Sequence, residues 1–184
     1  MSLGNEASEG KRIPMPPIEI ISPDGEISLR TYSLVDAEEA FALIDRNRDY
    51  LSQYGEDTAK KYPDLESFQE SIRHPQNPAR LRFAIRNKAG TLVGTINLTP
   101  DKDVPQKGEI GYYLGAEFQG HGYVNRAIGL LTNYAFQSLG YTSLFGSVAP
   151  ENIRSIRALI GNGYSMSTAR NHKGRLILTK EKPS

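Results

Sequence analysis

Three stretches between Leu81 and Leu114 constrain the fold of this chain more than any other part of it. Leu81, Phe83 and Ile85 alternate with Arg82, Ala84 and Arg86, the period of a strand with one buried face. Asn87-Lys-Ala-Gly90 reads as a hairpin turn, with Leu92 to Leu98 as the partner strand. After a loop rich in Asp, Lys and Pro the alternation returns at Glu109 to Leu114. Ile110, Tyr112 and Leu114 share one face there, and Glu109, Gly111 and Tyr113 the other. Strands joined by tight or modest loops pair as an antiparallel meander, so helices before and after it must cover its apolar face.

The rest of the chain supplies that cover. A strand is expected from Glu26 to Tyr32, after the turn Pro23-Asp-Gly25. A helix follows from Val35 to Arg46, with Asp36 as its cap and Ala37, Ala40, Phe41 and Ile44 as its stripe. Asp64 to Arg73 gives a second, short amphipathic helix. Beyond the meander, Val124, Ala127, Ile128, Leu131, Tyr134 and Ala135 recur at helical spacing up to Gly140. Thr142 to Ala149 reads as a strand, Asn152 to Ile160 as a helix, and Tyr164 to Thr168 with Arg175 to Thr179 as a final hairpin-like pair.

At 184 residues and 38% apolar content the chain is expected to form one domain, residues 26–184, behind a flexible extension of residues 1–25 rich in Gly, Ser, Glu and Pro. Its net charge of +1 sets up no field that would recruit nucleic acid or an anionic membrane, so recognition must be local. With no cysteine, disulfides and thiolate metal sites are excluded, and His74, His121 and His172 are too dispersed to suggest a metal centre. No apolar run reaches the roughly 18 to 20 residues of a membrane span, which makes the cytoplasm the expected compartment.

Gln119-Gly-His-Gly-Tyr-Val124 stands between a strand and a helix. A helix start exposes unpaired N–H groups and the positive end of the macrodipole, and glycines remove the side chains that would keep an anion away. The segment therefore suits a phosphate or pyrophosphate, although two glycines here also serve as a plain tight connection. A dinucleotide-binding fingerprint fits poorly, because Asn125 stands where its third small residue belongs and a meander precedes the loop. There is no P-loop lysine and no Gly-x-Ser-x-Gly elbow.

Taken with the order of elements, Glu109-Ile-Gly-Tyr-Tyr-Leu114, Gln119-Gly-His-Gly-Tyr123 and Pro150-Glu-Asn-Ile-Arg-Ser155 resemble the GCN5-related N-acetyltransferases (GNAT), more narrowly their RimJ/RimL-like branch. The resemblance covers about Glu26 to Lys180. It implies an α/β (α+β) fold with a mixed, mostly antiparallel sheet of about six to seven strands flanked by about four helices. The implied activity is direct acetyl transfer from acetyl-CoA (coenzyme A as the leaving group), without a metal, to a primary amine such as a protein or peptide N-terminal α-amine. Acetylation of a polyamine or antibiotic-like amine, and a non-catalytic acyl-CoA-binding module, are the alternatives. A monomer or homodimer is expected.

The same resemblance assigns roles. Gln119, Gly120, His121, Gly122, Tyr123 and Val124 would hold the pyrophosphate through their amides. Tyr113 and Leu114 would lie beside the pantetheine arm, where the strand diverges from the next near Ser147-Val148. Asn152 would bond the arm or an ordered water, and Ser155 would face the sulfur and help protonate the thiolate. Both also cap a helix start. Glu109 would be the general base, with Tyr164 as a backup acid whose competing role is core packing. Arg126, Arg154 and Arg157 are candidates for the adenosine 3′-phosphate. Two departures from the family pattern stand out: Val124 replaces a Gly or Ala, and Tyr50, Tyr54 and Tyr62 stand where the branch carries a tryptophan-containing segment.

Overall fold

The computed structural model describes residues 17–171 and 173–184. Its elements are β1 (Glu19–Ile21), β2 (Ile27–Thr31), α1 (Ala37–Arg46), α2 (Arg48–Leu51), α3 (Thr58–Lys61), α4 (Leu65–Arg73), β3 (Leu81–Asn87), β4 (Leu92–Pro100), β5 (Lys107–Leu114), α5 (Tyr123–Ser138), β6 (Ser143–Val148), α6 (Ile153–Gly161), β7 (Ser165–Arg170) and β8 (Leu176–Glu181). They form one sheet in the order β1-β2-β3-β4-β5-β6-β8-β7. Every neighbouring pair is antiparallel except β5 with β6, which α5 joins as a parallel crossover.

The expected meander is β3-β4-β5. Its alternating residues divide as the period of two requires: Phe83, Ile85, Leu98 and Ile110 enter one core with α5 and α6. On the other face α1 and α4 bury Ala37, Ala40, Leu43, Ile44 and Phe68 against Ala84 and Leu92. Helices on both faces explain why β4 is buried through seven consecutive residues, Leu92 to Leu98. The turn into α1 is fixed by the buried Asp36 carboxylate, which accepts from Arg30, from Arg86 at 2.8 Å and from the Ser33 amide at 3.0 Å. Burial pushes this carboxyl up, but the bonds from Arg86, Ser33 and Arg30 outweigh it and leave its pKa below the ordinary range.

The extension expected over residues 1–25 needs correction at its C-terminal end. Glu19–Ile21 pairs with β2 and supplies the eighth strand, beyond the six to seven expected. The Ile18 carbonyl accepts the Thr31 amide at 3.0 Å, and Ile18 and Ile20 pack on the core. Residues 1–16 and His172 lie outside the described residues. The helix count also exceeds four, because the polar connection after α1 contains the single turns α2 and α3. No helix among the described residues is long and apolar enough to cross a membrane.

Candidate active site

The connection from β5 to α5 is held from below. Asn47, just past α1, accepts the Ala116 amide at 2.9 Å through Oδ1 and donates from Nδ2 to the Leu43 carbonyl and to Glu117. Arg46 pairs with the same Glu117 carboxylate at 2.6 Å. The chain then turns through Gly120 (φ +82°) and Gly122 (φ +74°), both left-handed conformations that L side chains resist. Gly122 is the N-cap of α5, and Arg126 is the first residue whose amide returns to the helix, on the Gly122 carbonyl at 3.2 Å. The amides before it have no helical carbonyl to serve. A Cβ at Gly120 would meet nothing within 4 Å, so the ground beside the turn is open there. The sixth-position Val124 lines the cavity with Gln119, Gly120, Gly122 and Tyr123 without closing it.

That ground opens into a cavity of about 1170 Å³ running between β5 and β6. The two strands pair only at Lys107↔Ser143, Gly108↔Leu144 and Glu109↔Phe145, whereas β5 stays paired with β4 as far as Leu114 and β6 with β8 as far as Val148. They therefore part immediately after Glu109. The Gly115 amide donates to the Val93 carbonyl on the β4 side. Main-chain groups alternate sides along a strand, so the amides of Tyr112 and Leu114 face the gap. The gap is braced by the Tyr112 hydroxyl, which donates to the Ser155 carbonyl at 3.3 Å and is kept protonated by burial that pushes its pKa up to about 12. Across it, Arg175 donates to the Ser147 carbonyl at 3.2 and 3.3 Å and pairs with Glu56.

Glu109 sits at the fork. Burial pushes its carboxyl above the usual range, with Arg175 and Arg80 pulling it back only in part. Such a carboxylate holds a proton better than an exposed one, which suits it to take a proton from an amine. Tyr50, Tyr54 and Tyr62 all line the same cavity. Tyr54 takes φ +58°, unusual for a residue with a side chain, and its carbonyl accepts from Arg175 at 3.4 Å.

Asn152, Ser155, Tyr113, Leu114, Arg154 and Arg157 also line the cavity. Asn152 does cap α6, through Oδ1 on the Ser155 amide at 3.1 Å. His121 stacks on Tyr123 and lies outside the cavity lining. Arg126 is engaged elsewhere, paired with Asp24 at 2.7 Å. Tyr164 needs correction as an acid candidate: it is 2% exposed in the core, its hydroxyl meets Thr132 at 2.7 Å, and burial pushes it up to about 12. Tyr164→Phe should leave kcat unchanged and cost about 1 to 2 kcal/mol in a urea melt, because the Thr132 hydroxyl loses its partner.

Residues that the sequence reading passed over include Arg80, Arg175, Thr95 and Asn97, all on the cavity wall. Arg80 and Arg175 sit in loops beside strand ends, where no periodicity reports a facing. Asn97 was open to detection, because it alternates with the core residues Ile96 and Leu98.

The sequence matches the family described as "Acetyltransferase (GNAT) domain" over residues 26–165, and the chain belongs to that family. It is 29% identical over 144 residues to the probable N-acetyltransferase YjcK of Bacillus subtilis, covering 75% of this chain and 80% of that one. Its fold superposes on the microcin C7 self-immunity acetyltransferase MccE, solved with acetyl-CoA and AMP, with a TM-score of 0.69 and 26% identity over 85% of this chain and 93% of that one. RimL, the ribosomal L7/L12 alpha-N-protein acetyltransferase solved with coenzyme A, gives a TM-score of 0.74 at 15% identity over 85% and 94%. The chain is thus a GNAT acetyltransferase with the RimJ/RimL-type fold.

Proposed function

We propose that this chain transfers an acetyl group from acetyl-CoA directly to a primary α-amine, with a protein or peptide N-terminus as the acceptor. The observation that carries the reading is the meeting, in one cavity, of the open amides at the start of α5 with the fork where β5 leaves β6 beside Glu109. Acetyl-CoA supplies an activated acyl carbon and a thiolate that leaves readily. The amides from Gly120 to Val124 hold its pyrophosphate, while the Gln119 amide, expected among them, is taken by the Ala116 carbonyl at 3.2 Å; Arg154 and Arg157, on the same cavity wall, receive the remaining phosphate. The gap-facing amides of Tyr112 and Leu114 donate where charge develops on the acyl oxygen. Asn152 and Ser155 flank the arm, with Ser155 assisting the departing sulfur.

Glu109 takes the proton of the attacking amine, directly or through a water. An α-amine, at about 7.7 to 8.0, is some 2.5 units easier to deprotonate than a lysine at about 10.4, a saving of roughly 3.5 kcal/mol. The α-amine reading also draws on RimL, which acts on an α-amine of a ribosomal protein.

The test is thiol release from acetyl-CoA with a panel of peptides, polyamines and aminoglycosides. Release with peptides ahead of polycations supports the reading. Preference for a polycation replaces the acceptor, and coenzyme A binding without release from any amine would make the chain a binding module.

A further inference from the structure

The acceptor side of the cavity has a floor made by one face of β3, β4 and β5. Leu81, Leu98 and Ile110 stand opposite one another and turn into the core. The residues on either side of them in each strand face the cavity instead: Arg82, Asn97 and Gly111 form one row, and Thr99 and Glu109 the next. Arg80, one residue before β3, continues that second row. With strands about 4.8 Å apart, its main chain lies about 10 Å from that of Glu109, across Thr99.

The cations near this floor differ in their partners. Arg82 donates to the Ser71 hydroxyl at 2.9 Å and lies over the rings of Tyr32, Tyr62 and Phe68. Arg175 is taken up by Ser147, Tyr54 and Glu56. Arg80 differs: its Nε is buried and has no hydrogen-bond partner, the one such side-chain atom among the described residues. Glu109 does not come within ion-pair distance of it, since no salt bridge among the described residues includes Arg80. A buried guanidinium donor without an acceptor is costly, and each one in a native structure calls for an explanation such as a catalytic role or a partner that is not part of the chain. The cavity wall as a whole carries seven Lys and Arg against three carboxylates, a poor lining for a polycation.

We infer that the acceptor carries a carboxylate a few bonds from its reacting amine, and that Arg80 receives this carboxylate while Glu109 faces the nitrogen. The inference rests on the transfer reading given above for the roles at Glu109. Two sources share the chemistry: the acidic side chain of a peptide's first residue, and the main-chain carboxylate of a free amino acid. In both, the anion fixes the amine above the fork through a bidentate grip that lysine cannot reproduce.

The experiment compares matched pairs on the full chain with acetyl-CoA: peptides identical except for an initial Asp or Asn, and alanine against alaninamide. At least one acid should exceed its amide in kcat/KM by about ten-fold or more. That preference should vanish in Arg80→Met and persist in part in Arg80→Lys, with coenzyme A affinity in both variants showing that they fold. The peptide pair showing the preference identifies a side-chain anion, and the alanine pair a main-chain one. Equal rates for acid and amide in both pairs, or a preference that survives Arg80→Met, would overturn the inference. Absence of thiol release with every amine would count against the transfer reading alone. The carboxylate inference is then decided by calorimetry of the same pairs on coenzyme A-loaded protein: tighter binding of an acid by about ten-fold, lost in Arg80→Met, upholds it, and equal affinities overturn it.

Discussion

Glu109→Gln is expected to lower kcat by about 10²- to 10⁴-fold, the usual contribution of a positioned general base. The affinity for acetyl-CoA should stay near that of the unaltered chain, because the carboxylate stands at the fork and not at the glycine turn. The pH profile separates this role from a structural one. A base works deprotonated, so activity is present above its pKa and lost as pH falls through it. Burial raises the Glu109 carboxyl, so the enzyme's acid limb in kcat/KM should lie above the ordinary carboxylate value of about 4.3. The glutamine variant should lose that limb and keep the one set by the acceptor amine. A variant with near-normal turnover would remove Glu109 as the base.

Gly120→Val should weaken acetyl-CoA binding on the order of 100-fold by placing a side chain in the open space of the cavity beside the turn into α5. The substitution also forces a side chain into a left-handed conformation, which costs about 1 to 2 kcal/mol by itself. Gly140 separates the two effects. It has φ +75°, open space around its Cβ and a position outside the cavity lining. Gly140→Val should therefore lose comparable stability and leave calorimetric affinity for acetyl-CoA unchanged. Equal affinities for both variants would mean that the turn at Gly120 holds no phosphate.

Much of this architecture is written into the order of residues because each long element buries one face. The alternation at Leu81–Ile85 and Glu109–Leu114, and the three-four spacing from Val124 to Ala135, each specify a period, and burial against α5 then fixes the register. The glycine turn was legible for a different reason, since two glycines at a helix start are a local backbone requirement.

What stayed hidden depends on distant partners. Glu19–Ile21 is too short to show a period, and only β2 makes it a strand. The single turns α2 and α3 carry too few residues to mark a face. Tyr164 fits either a backup acid or a core position in sequence, and its facing is set by α5, whose Thr132 takes the hydroxyl. Arg80 announces nothing in sequence, and its significance comes from an Nε left without an acceptor once Arg82 and Arg175 have found theirs.

A crystal structure with coenzyme A puts the central claim to the most direct trial. The diphosphate should rest on the main-chain nitrogens from Gly120 to Val124, and the pantetheine should run along the gap-facing edge of β5 toward Glu109. Coenzyme A bound away from that turn, or β5 and β6 zipped together beyond Glu109↔Phe145, would contradict it.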